Sequence, residues 1–125
     1  MERMTRQRVS ILAAIGAASR PLLPQEVLEA ASATAPALSI ATVYRTLKSL
    51  ADEGGIVPVA LHGEPVRYEL AGRGHHHHFR CRDCKRVFDV PGCVGDLAAL
   101  VPAGFRLEEH EVTLYGQCAG CLRAP

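Results

Sequence analysis

Residues 39–55 read SIATVYRTLKSLADEGG, and this stretch predicts a helix with a defined start and end. Ser39 is placed to cap a helix, and Gly54 and Gly55 are placed to end it. One face of this helix is predicted to be apolar, with Ile40, Val43, Leu47, Leu50 and Ala51 at helical spacing. The opposite face carries hydroxyl and basic groups, as a DNA recognition helix does, although an ordinary solvated helix shows the same pattern.

The segments on either side complete a winged-helix pattern. Thr5 precedes an apolar repeat predicted to pack through Val9, Leu12, Ile15 and Ala18, and Pro24 opens a second helix that presents Val27, Leu28 and Ala31. After Gly55 the apolar period changes to two, so IVPVALHG (56–63) and PVRYEL (65–70) are predicted to form a hairpin with its turn at HGEP (62–65). In a winged helix such a hairpin reaches the DNA backbone, and Arg67 is the residue expected to do so.

The second half of the chain reads mainly as β-structure. AGRG (71–74) is a short flexible hinge, and the segments after it predict strands at HHHFRCRD and RVFDV, a short helix around VGDLAALV, and a long strand within GFRLEEHEVTLYGQC (104–118). At least one of these strands is well placed to pair across a dimer axis. The prediction is therefore an α+β chain, with a winged-helix domain over residues 1–71, a hinge at 72–74 and a small α/β domain over 75–125.

Composition limits the partners of the chain. The 125 residues carry a formal net charge of +1, so non-specific attraction to nucleic acid should be weak and any DNA binding must come from a local surface and from symmetry. No apolar run approaches the roughly 20 residues of a membrane span, and no signal peptide is visible. We therefore expect a cytoplasmic protein without membrane association.

Four of the five cysteines form two Cys-x-x-Cys pairs, and Cys93 is left over. Each pair supplies two thiolates from one tight turn, and two such turns complete the four ligands of tetrahedral zinc. The alternatives are disulfides or a redox pair, which two matched pairs in a cytoplasmic chain disfavour. The predicted site is structural, because four thiolates leave no open coordination position. Its ligands are Cys81, Cys84, Cys118 and Cys121.

The histidine run before Cys81 is predicted to feed two separate sites. Side chains alternate along a strand, so His76 and His78 project to one side and His75 and His77 to the other. An internal purification tag and adventitious surface metal binding are the competing interpretations. Either pair needs further ligands, for which the chain offers Glu69, His62, Asp89, Cys93, Asp96 and His110.

Together these segments resemble the ferric uptake regulator family of bacterial metal-dependent repressors. The resemblance rests on TRQRVSILAAI, SIATVYRTLKSLADEGGIV, RYEL, HHHHFRCRDC and HEVTLYGQCAGC, and it spans residues 5–121. It implies a winged-helix domain, a dimerisation domain, a four-cysteine zinc site and a regulatory metal site near the hinge. The sequence departs from the family in its short span between Cys84 and Cys118 and in Lys85, where the family usually has glycine.

The resemblance also implies roles for individual residues. Glu69, His76 and His78 match the ligands of the regulatory site, and His62 on the wing is the substitute for a histidine that relatives donate from the second helix. His75, His77 and His110 match a second site, with Asp96 as the expected carboxylate. On the DNA side, Tyr44 and Arg45 match residues that meet thymine methyl groups and phosphate. With their neighbours they form the predicted DNA-binding set, which is Ser39, Thr42, Tyr44, Arg45, Lys48 and Arg67.

The leading hypothesis is a homodimeric repressor that binds a palindromic operator when metal fixes its two DNA-binding domains. Zinc uptake control is favoured, because donor affinity rises from Mn²⁺ and Fe²⁺ to Zn²⁺, with iron, manganese or peroxide sensing as rivals. A zinc hydrolase is the alternative from another class, but the sequence has no H-E-x-x-H pattern for it. A dimeric DNA-binding protein with structural zinc and no sensing is the third.

Overall fold

The structure is a computed structural model, which describes residues 5–123. Its mixture of helices and strands confirms the α+β class. The chain divides into two compact units between Arg73 and Gly74. The predicted hinge, residues 72–74, spans this division, while the outer ends of the two predicted domains, 1–4 and 124–125, lie outside the described residues.

The first unit is a three-helix bundle followed by a hairpin. Thr5 and Ser39 cap the first and third helices as predicted, since their side chains accept the backbone N–H groups of Arg8 and Thr42. A backbone bridge between Leu22 and Tyr68 joins the hairpin to the segment before the second helix. This arrangement is a winged helix. Its elements are α1 (Arg6–Ala18), α2 (Pro24–Ala31), α3 (Ile40–Asp52), β1 (Ile56–Val59) and β2 (Arg67–Leu70).

The helix faces differ from the prediction at two points. On α1, Ile15 is buried and Leu12 and Ala18 pack against the core as predicted, whereas Val9 is 50% exposed and the buried positions also include Ile11 and Arg8. Arg8 turns inward because its guanidinium contacts Glu53 and donates to the Ser49 hydroxyl (3.1 Å) at the end of α3. The predicted face of α1 was therefore right for Leu12, Ile15 and Ala18 and wrong for Val9.

On α3, Val43, Leu47 and Leu50 are buried as predicted, whereas Ile40 is 37% exposed. Ile40 is the first residue of the helix, and it projects beyond the core that the later turns cover. Its assignment to the inner face was also wrong.

The wing is shorter than the sequence suggested. Its strands have four residues each, paired antiparallel with Val57 opposite Glu69. The chain reverses in a turn in which the Glu64 N–H donates to the Leu61 carbonyl, with Gly63 at φ +75°. Glycine suits this position because a side chain disfavours the left-handed conformation.

The second unit contains one three-stranded sheet. The strand order is β4–β3–β5, with β3 antiparallel to β4 and parallel to β5. The short predicted helix is a single 3₁₀ turn. The bounds are β3 (His77–Cys81), β4 (Val87–Val90), the 3₁₀ turn (Leu97–Leu100), β5 (Thr113–Gly116) and α4 (Ala119–Arg123).

The long strand predicted within residues 104–118 was wrong in extent. Only Thr113–Gly116 pairs, because an extended segment becomes a strand only beside a partner edge. Just before β5 the Val112 carbonyl accepts the His78 N–H at 3.3 Å, and residues 105–111 belong to no strand among the residues that the structure describes. Among the same residues, no helix combines the length and the apolar character that a bilayer crossing requires.

Candidate metal centres and DNA-binding surface

The four paired cysteines converge at one end of the sheet of the second unit. Sulfur atoms of Cys81 and Cys121 lie 3.6 Å apart, and those of Cys84 and Cys118 lie 3.8 Å apart. A tetrahedral zinc ion with Zn–S bonds of about 2.3 Å holds its sulfurs about 3.8 Å from one another. The spacing of this four-cysteine cluster therefore fits zinc, with no open position for a substrate.

Backbone amides in this cluster stabilise a negatively charged sulfur. The N–H groups of Cys84 and Cys118 point at the Cys81 sulfur, at 3.5 and 3.4 Å. These hydrogen bonds lower the pKa of Cys81 to about 6, because they stabilise the thiolate. The neighbouring thiols raise the pKa of Cys121 to about 12. When all four sulfurs are thiolates, their negative charges repel one another, and a bound metal cation offsets this repulsion.

The turn between β3 and β4 contains an unusual backbone position. Lys85 has φ +67°, a conformation that favours glycine, and its N–H donates to the Cys81 carbonyl (3.0 Å). The turn therefore keeps its shape with a lysine where the family usually has glycine.

The histidines separate onto the two sides of β3, as alternation requires. The rings of His75 and His77 lie 4.5 Å apart by their centroids, and those of His76 and His78 lie 5.0 Å apart. Each pair meets a different set of partners.

His76 and His78 meet a carboxylate on the neighbouring strand. Their Nε2 atoms lie 3.7 and 3.8 Å from the same oxygen of Asp89. Asp89 is directly opposite His78 in the antiparallel pairing of β3 and β4. Two imidazoles and one carboxylate form a donor set that zinc, iron and manganese all accept. These three residues are called the His76 site below.

Asp89 was one of several carboxylates that the sequence left open. The signal that selects it is the Cys-x-x-Cys turn, which folds β3 onto β4 and thereby sets the register. Once Arg80 pairs with Val87, His78 must pair with Asp89.

His75 and His77 gather a different set, which also includes His110 and Cys93. The Cys93 sulfur lies 3.3 Å from Nε2 of His77 and 3.2 Å from Nε2 of His110. The donor atoms of all four residues lie within 4.8 Å of one another. Burial and the surrounding imidazoles lower the pKa of His77, which favours the neutral ring that a metal needs. These four residues are called the Cys93 site below.

Asp96 does not belong to this set, and its assignment as the carboxylate ligand is corrected here. Its carboxylate accepts the Ala98 N–H at 3.0 Å and caps the 3₁₀ turn. Cys93 takes its place, because the loop after β4 carries the sulfur back toward the start of β3. The sequence signal was the fifth cysteine itself, whose role the spacing left undecided.

The two remaining predicted ligands lie in the first unit. Glu69 is on β2, and His62 is in the turn of the wing, where its side chain is exposed. Their roles as metal ligands stay predictions.

The predicted DNA-binding face of α3 forms one exposed surface. Tyr44 is 51% exposed, and Arg45 donates to the Thr42 hydroxyl at 3.1 Å. Lys48 pairs with Asp52 at 3.2 Å, a surface contact weak enough for phosphate to replace. Ser39 lies at the N-terminus of the same helix, where backbone N–H groups favour anions.

Arg67 does not lie on that surface, and the prediction that it contacts the DNA backbone is corrected here. Its side chain is 2% exposed and donates to the Glu64 carboxylate at 3.0 Å. Its charge also lowers the pKa of Glu26 on α2. Alternation on β2 turns this side chain inward, where carboxylates surround it, so Arg67 acts as a structural ion-pair residue.

Comparison with known proteins agrees with this geometry. Residues 2–115 match the ferric uptake regulator family. The transcriptional regulator FurA of Mycobacterium tuberculosis is 35% identical over 123 residues, which cover 95% of this chain and 82% of that protein.

Solved structures give the same result. A zinc-bound manganese uptake regulator superimposes with a TM-score of 0.81 at 29% identity, over 94% of this chain and 91% of that chain. A ferric uptake regulator from Francisella tularensis with iron gives 0.74 at 28% identity, over 98% and 96%.

A winged helix joined to a metal-binding sheet defines a metal-responsive transcriptional regulator. The chain belongs to the ferric uptake regulator family. The relatives are regulators of transcription, which confirms the prediction that the chain is not an enzyme and removes the hydrolase alternative.

Proposed function

We propose that this protein is a homodimeric repressor that binds palindromic operator DNA when a divalent metal occupies the His76 site, and that it controls zinc uptake genes. The observation that carries this proposal is the convergence of His76 and His78 on one carboxylate oxygen of Asp89. The His76 site begins two residues after the division between the two units. Metal bound there is therefore placed to influence the hinge.

The proposed regulatory site has ligands from both parts of the sequence. Glu69 precedes His76 by seven residues across the hinge, and His62 on the wing is the further candidate donor. A metal held by residues on both sides of a hinge binds one domain arrangement better than others, and it shifts the population toward that arrangement. Coupling of about 1–3 kcal/mol changes operator affinity roughly 5- to 150-fold.

The four-cysteine cluster has a separate, structural role in this proposal. Zinc held there ties β5 and α4 to the turn between β3 and β4, because Cys118 and Cys121 come from the end of the chain and Cys81 and Cys84 from that turn. The zinc stays bound while the regulatory metal exchanges, since its closed thiolate shell holds it more tightly.

The dimer surface is proposed to lie on residues 94–108 of the second unit. Exposed apolar side chains are concentrated there, and Leu100, Phe105 and Leu107 line an open groove between the 3₁₀ turn and the following segment. Residues 105–111 belong to no strand among the described residues, and we propose that the same segment of a second copy pairs with them. The apolar side chains concerned are Val94, Leu100, Phe105 and Leu107.

Zinc is the first candidate for the sensed metal, because imidazole and carboxylate donors bind zinc more tightly than iron or manganese. Iron is the second candidate, and one observation favours it. Two histidines and one carboxylate are the donor set of many non-haem iron sites, and this set is what β3 and β4 assemble. An iron site of this kind would also support peroxide sensing.

DNA binding titrated with metals tests the proposal. Operators are selected from random palindromic duplexes with protein loaded separately with Zn²⁺, Fe²⁺ or Mn²⁺. Affinity is then measured after EDTA has removed the exchangeable metal and zinc analysis has shown that the four-cysteine zinc remains. We expect affinity to fall at least fivefold on removal and to return with zinc at the lowest free concentration. Unchanged binding would reject the sensor and leave a regulator with structural zinc alone.

Matched variants locate the ligands. His76→Ala is expected to remove the metal response, and His62→Ala removes it only if the wing supplies a ligand. Tyr115→Phe serves as a control on the same sheet, away from the histidine sites. A full metal response in His76→Ala would contradict the assignment of the regulatory site.

A further inference from the structure

We propose that Cys93 makes the second cluster a tetrahedral zinc site of three imidazoles and one thiolate, which discriminates against manganese more strongly than a site with a carboxylate in place of the thiolate. The inference goes beyond the proposed function and does not depend on DNA binding. It rests on the position of one sulfur atom among three histidine rings.

The geometry around Cys93 matches a four-coordinate zinc ion. With Zn–N bonds of about 2.0–2.1 Å and a Zn–S bond of about 2.3 Å, tetrahedral angles place nitrogen and sulfur about 3.5 Å apart. The observed distances are 3.3 Å to His77 and 3.2 Å to His110. A shift of about 0.3 Å therefore completes these two edges of the tetrahedron.

The third ring lies close to the other two. The centroid of His75 is 4.5 Å from that of His77 and 4.9 Å from that of His110. The rings of His77 and His110 are 5.1 Å apart. Rings packed at these distances repel one another when protonated, whereas a shared metal ion uses all of them in the neutral form.

The thiolate gives the site its selectivity. Sulfur is a soft ligand, which zinc accepts and which manganese, a metal of carboxylate and water ligands, does not favour. Asp96, the carboxylate nearest to Cys93 in the sequence, accepts a hydrogen bond from the Ala98 N–H. A thiolate in place of a carboxylate therefore shifts the metal preference of the site toward zinc, and away from manganese and ferrous iron.

The position of the site also defines what its metal would hold. His77 is the first residue of β3 and His75 lies two residues before it, Cys93 lies in the loop after β4, and His110 lies before β5. Between Val90 and Thr113 the only regular element is the 3₁₀ turn. Zinc at the Cys93 site would cross-link both ends of this segment to β3, and the proposed dimer surface lies within it.

Cobalt substitution tests the thiolate ligand directly. Protein with zinc in the four-cysteine cluster is stripped of exchangeable metal and titrated with Co²⁺. We expect a near-ultraviolet sulfur-to-cobalt charge-transfer band together with tetrahedral visible bands. Cys93→Ser should lose the charge-transfer band, and His76→Ala, on the opposite side of β3, should retain it.

Three results would overturn the proposal. They are the absence of a charge-transfer band in the wild type, its persistence in Cys93→Ser, and loss of zinc from the four-cysteine cluster as the band grows. The last result would mean that the band arises from cobalt bound to the four-cysteine cluster rather than to Cys93. Circular dichroism establishes that each variant is folded.

A second variant tests metal preference without removing a ligand. Cys93→Asp restores a carboxylate, and the ratio of Zn²⁺ to Mn²⁺ affinity at this site is expected to fall at least about tenfold. The ratio is measured by displacement of Co²⁺ in a His76→Ala background, so that the other site does not contribute. An unchanged ratio would contradict a thiolate-determined preference.

Discussion

The backbone amide of Val112 donates a hydrogen bond to Nδ1 of His77, with 3.2 Å between the two nitrogens. Because Nδ1 accepts, the neutral ring carries its proton on Nε2, which faces the Cys93 sulfur. A metal bound at Nε2 moves the proton to Nδ1 and removes the acceptor for Val112. We therefore predict that metal binding at the Cys93 site breaks this hydrogen bond and changes the histidine tautomer.

Nitrogen-15 NMR with and without zinc measures both changes. The His77 ring should change from the Nε2–H to the Nδ1–H form, and the Val112 amide should exchange faster with solvent. His76→Ala serves as the control, since its site is on the other side of the strand. Stoichiometric zinc binding at the Cys93 site with the His77 tautomer and the Val112 amide unchanged would contradict this coupling.

Substitution of two arginines in the first unit should affect different properties, DNA binding in one case and folding stability in the other. Arg45→Ala removes an exposed guanidinium from α3, so we predict that operator affinity falls by about 1–3 kcal/mol while the melting temperature is unchanged. Arg67→Gln leaves a half-buried Glu64 without its guanidinium, and we predict a loss of about 1–3 kcal/mol in folding stability. Fluorescence anisotropy and urea denaturation separate the two effects. A stable Arg67→Gln variant with weakened DNA binding would indicate that Arg67 contacts DNA, and it would contradict the structural role assigned to this residue.

Removal of one ligand should dismantle the four-cysteine cluster. Cys118→Ser leaves three sulfurs, and we predict that zinc is lost and that the second unit loses amide protection around β5 and α4. Hydrogen exchange read by mass spectrometry checks this prediction. Cys93→Ser is the matched control, because it removes a thiol from the same unit and, after exchangeable metal has been stripped, should keep the zinc of the four-cysteine cluster. Retention of tightly bound zinc in Cys118→Ser would contradict the four-ligand assignment.

The free energy of unfolding should depend on pH through the carboxylate of Glu26, which lies at the start of α2. Burial acts to raise its pKa, but hydrogen bonds from Arg20 and the Leu23 N–H outweigh it, and the pKa of Glu26 lies below 4.5. The carboxylate therefore adds stability above pH 4.5, which is lost as the pH falls through the lowered value.

Glu26→Gln is expected to destabilise the protein at pH 7 by no more than about 1 kcal/mol, because the ion pair is partly exposed to solvent. The difference from the wild type should shrink toward pH 3. Urea denaturation at both pH values measures it, with Glu29→Gln, an exposed neighbour on the same helix, as the control. An equal difference at both pH values would indicate that the charge has no part in the effect.

Local patterns predicted much of the fold. Caps, glycines and periodicity located the three helices and the wing, because each of these signals acts within a few residues. The paired cysteines located one cluster for the same reason, since a Cys-x-x-Cys turn defines its own geometry. Alternation along β3 separated the histidines before any partner was known.

The failures came from contacts between distant residues. Arg8 is buried because Glu53, on another helix, meets it, and no periodicity along α1 contains that information. Arg67 is buried beside Glu64, and Cys93 replaces Asp96 through the path of a loop. The long final strand failed for a different reason, since apolar alternation does not show where a partner edge ends, and the pairing of β5 with β3 covers only Thr113–Gly116.

The parallel pairing of β5 with β3 has a consequence for the order of synthesis. Cys81 and Cys84 leave the ribosome as a half-site and must wait until 34 further residues bring Cys118 beside Cys84. The first unit is built from contacts among residues that are already made, and it can fold during that interval. Metal capture at the four-cysteine cluster is therefore expected to follow folding of the first unit, and without metal the two Cys-x-x-Cys turns of the second unit stay untied.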